Sequence, residues 1–90
     1  MAHVTRNRKA LLSRVRRIAG QVAALEKALE GEADCGDVLV QIAAAKGAMH
    51  SLMMEVLRGH LEEHVVAEQD QDARQQEAGV LLKLLQGYAK

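Results

Sequence analysis

The sequence predicts an all-α protein: a protomer of two long helices and one short helix that pairs with a second copy in an antiparallel helical bundle. Three observations lead there. The chain has no Pro, Trp or Phe and a single Tyr, while 49% of its residues are apolar, so its apolar mass is aliphatic and Ala-rich, a helix-forming composition. Two stretches place those apolar residues at heptad spacing. The whole chain, 90 residues read as one domain spanning 1–90, is too short to cover two continuous seams and a third helix by itself, which makes self-association the expected solution.

The first helix is marked by Leu11, Val15, Ile18, Val22, Leu25 and Leu29, which step by alternating fours and threes. Thr5 or Asn7 stands where a helix start is capped, and Gly31 stands where one ends, so the helix spans about residues 6–30. Asp34 offers the next N-cap, with Asp37 in the first turn. Val38, Ile42, Ala45, Met49, Leu52 and Val56 then carry a second helix to about residue 65. Its middle, Ala43-Ala44-Ala45-Lys46-Gly47-Ala48, has little side-chain bulk and lets another helix approach closely. The polar VAEQDQD stretch (66–72) reads as a linker, and Val80, Leu81, Leu84, Leu85 and Tyr88 mark a short third helix.

Composition excludes several classes. One cysteine, Cys35, cannot form an intrachain disulfide, no signal-like apolar region opens the chain, and no apolar run approaches the ~20 residues that span a bilayer. A cytoplasmic protein without a membrane partner is expected. The formal net charge of zero conceals two halves. Residues 1–30 hold seven Lys/Arg against two acids, and residues 31–90 hold five against ten, a balance of +5 followed by −5. No nucleophile, base and orienting group fall into one pocket-like set, so no enzyme is expected.

The metal-capable side chains fall in a pattern. His60 and His64 are spaced i, i+4 and share one helix face, able to bind one ion together; two solvated rings are the competing reading. Cys35 opens the same helix, and the 25-residue separation from His60 amounts to roughly 38 Å of helical rise. One chain cannot bring both to one ion. Two antiparallel copies can, and pairing Cys35 of one with His60 and His64 of the other centres the crossing near residues 48 and 49, at the end of the small-residue stretch. Ligand spacing and packing thus agree on a dimer with two equivalent shared sites.

His3 lies on an arm before the first helix that can reach such a site, and removal of Met1 would leave the α-amine of Ala2 beside it. Asp34 and Glu63 neighbour the ligand candidates and either orient them or complete the coordination. A thiolate with several imidazoles suits nickel, cobalt, zinc or copper and suits magnesium or calcium poorly. Four ligands fit zinc, and adding the amine or a carboxylate fits nickel or cobalt; spacing leaves the choice open. His50 fits no such group, and Met49, Met53 and Met54 fall at core spacing.

The excess positive charge belongs to the first helix. Arg14, Arg17 and Gln21 flank one side of its seam, and Lys9, Arg16 and Gly20 the other. A solvated basic face is the competing reading, but oligomerisation multiplies the charge into a stripe able to neutralise phosphates. The helix is too long for a helix-turn-helix reader, and no aromatics interleave for single-stranded bases, which leaves duplex DNA contacted through backbone and shape.

The segments VRRIAGQVAALEKALEGEADCGDVLVQIAAAKGA and LMMEVLRGHLEEH resemble the CsoR/RcnR family of all-helical bacterial repressors, over nearly the whole chain. The resemblance implies a dimer of dimers that senses copper, nickel or cobalt, or formaldehyde. The family's four sensing positions read His3, Cys35, His60 and His64, the pattern of the nickel- or cobalt-responsive branch. The copper branch has a second cysteine at the place of His64; the formaldehyde branch has Pro after the initiator and Glu at the last position, where this chain has Ala2 and His64. The resemblance also implies DNA contacts at Arg14 and Arg17, with Lys9, Arg16 and Lys46 as further candidates, a G/C-tract inverted repeat as operator, and a metal-efflux gene as target. Two alternatives remain: a formaldehyde-responsive repressor using Cys35 and the N-terminal amine, and a structural helical bundle that binds metal.

Overall fold

The computed structural model describes residues 7–88. Three α-helices follow in order, α1 (Arg8–Glu30), α2 (Cys35–Leu61) and α3 (Gln71–Tyr88), and a π-helical turn, Glu62–Val66, continues α2. No strand occurs among the described residues. The chain divides into two compact units, one of Asn7–Glu55 and one from Val56 onward.

The first unit is a hairpin of α1 and the larger part of α2. Asn7 precedes α1 but makes no side-chain capping bond, and Thr5 lies outside the described residues. Gly31 ends the helix by donating its N–H to the Lys27 carbonyl at 3.1 Å. Its backbone is extended rather than left-handed, so it terminates α1 without the positive φ that usually selects glycine there. Asp34 caps α2 as expected: its Oδ2 accepts the Gly36 N–H at 3.0 Å, and its carbonyl accepts the Val38 N–H at 3.0 Å. Asp37 sits in the first turn, where the helix dipole favours a carboxylate. A cap of this kind is worth about 1 kcal/mol.

The heptad seams divide between two surfaces. On α1, Leu11, Ile18 and Leu25 turn inward, with Ile18 only 5% exposed, whereas the alternate seam residues Val15, Val22 and Leu29 are 46–66% exposed. On α2, Val38, Ala45 and Leu52 are half-buried while Ile42 and Met49 remain 43% and 52% exposed. The inward positions between them go to Arg14, Gln21 and Ala28 on α1 and to Gln41 and Ala48 on α2. Each helix therefore keeps a second apolar stripe, repeating every seven residues, that one chain does not cover. Within the small-residue stretch, Ala45 and Ala48 are half-buried, and a Cβ added at Gly47 would meet nothing within 4 Å, so that glycine is not demanded by packing inside one chain.

In the second unit, the π turn is closed by the Ala67 N–H donating to the Glu62 carbonyl at 3.0 Å, an i to i−5 bond. Asp70 then caps α3, its Oδ2 accepting the Ala73 N–H at 3.0 Å, and α3 packs on the π turn. The cap starts α3 at Gln71, so the connection is shorter than the 66–72 linker read from composition. Val80, Leu82, Leu85 and Tyr88 are exposed along α3.

Candidate metal centre and nucleic-acid interface

His60 is the penultimate residue of α2, and His64 lies in the π turn that continues it. Their rings stand with centroids 4.9 Å apart and planes tilted by 48°, and both side chains are half-buried. The i, i+4 spacing thus brings two imidazoles into one local environment, as the sequence leads one to expect. Glu63, between them in sequence, is half-buried as well. π turns of this kind recur at functional sites because the extra residue re-aims the side chains that follow.

The third helix adds a group that sequence reasoning missed. Glu77 of α3 places Oε2 3.0 Å from His60 Nε2. A carboxylate beside an imidazole is a common companion of a metal-binding histidine. The spacing of 17 residues gives no periodic clue, because the turn before α3 and the π turn set the phase of α3.

Cys35 is exposed and free as the first residue of α2. Asp34, the suggested supporting ligand, spends Oδ2 on the helix cap. His3 and Ala2 lie outside the described residues. Among the described residues no three His, Cys, Asp or Glu side chains of one chain come together in a metal-binding cluster. Two adjacent imidazoles with a carboxylate beside one of them are donors of the kind that suits a borderline divalent ion.

The basic candidates separate into two kinds. Lys9, Arg16, Arg17 and Lys46 are exposed, but Arg14 is half-buried and engaged. Its Nη1 donates to Glu55 in an ion pair, and its Nη2 donates to the Ser51 hydroxyl at 2.8 Å, both partners lying on α2. Arg14, Arg17, Ile18, Ala48 and Ser51 line a cleft of about 190 Å³ on the hairpin. Among the described residues no helix is long and apolar enough to cross a membrane.

The family model described as metal-sensitive transcriptional repressor matches residues 7–86. The chain is 44% identical, over the full length of both chains, to the transcriptional repressor RcnR of Salmonella paratyphi B and, to the same extent, to the RcnR homolog of Escherichia coli O139:H28. A solved structure of a glutamate-to-histidine variant of the formaldehyde-responsive regulator FrmR from Salmonella enterica serovar Typhimurium superposes with a TM-score of 0.84 at 43% identity, covering 92% of this chain and 94% of that one. An all-helical protomer with paired histidines and a basic helix, matched in this way, is a metal-responsive transcriptional repressor. The chain belongs to the CsoR/RcnR family of metal-sensitive repressors.

Proposed function

We propose that the chain, in the cytoplasm, holds a duplex operator as a metal-free homotetramer and is released on binding nickel or cobalt, which derepresses a metal-efflux gene. The observation that carries this reading is the pair His60 and His64 beside the carboxylate of Glu77. Cys35 from a second chain, His3 and the Ala2 amine complete the ligand set, with Glu63 beside them. The uncovered stripe of Val15, Val22, Leu29, Ile42 and Met49 supports the antiparallel dimer that such a shared site requires, and the exposed apolar residues of α3 support its further assembly.

A bound divalent cation supplies positive charge, which by itself strengthens phosphate binding. Release of DNA therefore rests on movement of the chain. His3 precedes α1 by only a few residues, so drawing it toward His60 and His64 of a partner displaces the start of the helix that carries Arg17 and Arg14. Coupling of about 1–3 kcal/mol per site, summed over several sites, is enough to empty an operator. His3→Ala is expected to keep weakened metal binding and to lose most of the metal-driven release, read by fluorescence anisotropy of labelled operator. Release equal to the parent's removes the arm from the mechanism.

The similarity to FrmR and the exposure of Cys35 favour one second reading, in which formaldehyde condenses with the Cys35 thiol and the N-terminal amine, its oxygen leaving as water and its carbon bridging sulfur and nitrogen. His64 in place of the glutamate of the formaldehyde branch favours metal.

A further inference from the structure

The ion pair at Arg14 carries a role for Glu55 that rests on the DNA-binding reading above. The guanidinium of Arg14 bridges from α1 to α2, with Nη1 on Glu55 and Nη2 on Ser51. Arg17 lines the cleft beside it, so a phosphate approaching the two arginines meets the Glu55 carboxylate at the same guanidinium. We propose that Glu55 is an intramolecular competitor for DNA phosphate: its carboxylate occupies Arg14 in the free protein and must yield when a backbone phosphate enters the Arg14–Arg17 cleft.

Glu55 and Arg14 are partly solvated, at 47% and 29% side-chain exposure, so the pair contributes little to fold stability. The same carboxylate a few ångströms from an incoming phosphate repels it and cancels the charge that Arg14 offers. Ser51 holds Nη2 without adding charge, so Arg14 keeps its place when Glu55 gives way. Restrained affinity has a use in a repressor, because each effector molecule contributes only a limited coupling free energy toward release.

The test is Glu55→Gln, which keeps an oxygen acceptor for Nη1 and removes the charge. Anisotropy titrations use the metal-free protein with a fluorescein-labelled G/C-tract inverted-repeat duplex and with a mixed-sequence duplex, since binding to phosphate acts on both. Affinity is expected to rise about three- to tenfold at low salt. The slope of log affinity against log salt is expected to steepen by up to about 0.9 for each phosphate that Arg14 newly neutralises. In an Arg14→Ala background the same substitution should bring little increase. Unchanged or weaker binding by Glu55→Gln, or an equal increase without Arg14, overturns the proposal. If the parent chain binds neither duplex, the DNA-binding reading itself fails; if it binds both with strong salt dependence while Glu55→Gln matches it, only the competitor role fails. A helical melt by circular dichroism accompanies each variant, and a lowered melting temperature with an unaltered salt slope identifies a merely structural pair and counts against the proposal.

Discussion

Cys35→Ala is expected to lower affinity for nickel or cobalt by more than about 100-fold, exceeding the 10–100-fold cost of losing a supporting partner outside the ligand set. The helical melt should stay close to the parent's, because Cys35 is exposed at the first position of α2 and buries no core surface. The shared site makes a sharper statement. His60→Ala should be equally defective, yet the two defective chains, mixed and allowed to exchange, should recover binding. In the proposed shared site, a heterodimer would combine the Cys35 of one chain with the His60 and His64 of the other in one of its two sites, so random pairing would restore about a quarter of the total sites. Isothermal titration of the mixture measures that fraction. No recovery after verified exchange places the cysteine and the histidines in separate sites.

Arg17→Ala is expected to give the largest loss of operator affinity among the basic residues. Arg17 is exposed on α1, whereas Arg14 is neutralised by Glu55. Each phosphate left without its cationic partner lowers the salt slope by about 0.9, which corresponds to roughly an eightfold weakening at 0.1 M salt, and symmetry repeats the effect in every protomer that touches DNA. Equilibrium binding over a range of salt concentrations reads both quantities. An unchanged slope removes Arg17 from the interface.

Much of this architecture is legible in the sequence because heptad spacing, an Asp cap and a stop glycine are local signals. The positions of α1, α2 and the Asp34 cap follow from them directly. What the heptads do not reveal is that alternate seam residues serve different surfaces: Ile18 is buried while Val15 and Val22 face outward, a division set by the phase in which two helices meet. The histidine pair is readable for the same local reason, being one helical turn apart. Glu77 is not, since its approach to His60 depends on the π turn and on the start of α3 at Gln71. The basic helix is readable as charge, but Arg14 looks free in sequence and is held in the fold. Its partners Ser51 and Glu55 lie 37 and 41 residues away, beyond any pattern a single helix carries.

In the proposed mechanism DNA is bound in the metal-free state and released by nickel or cobalt through the shared site. Its most direct test is one preformed protein–operator complex titrated in parallel with nickel, cobalt, copper(I), zinc and formaldehyde, followed by anisotropy. Release by nickel or cobalt is expected at the lowest effector concentration, abolished in Cys35→Ala and in His64→Ala. A complex that survives all four metals, or that only formaldehyde dissociates, contradicts this mechanism.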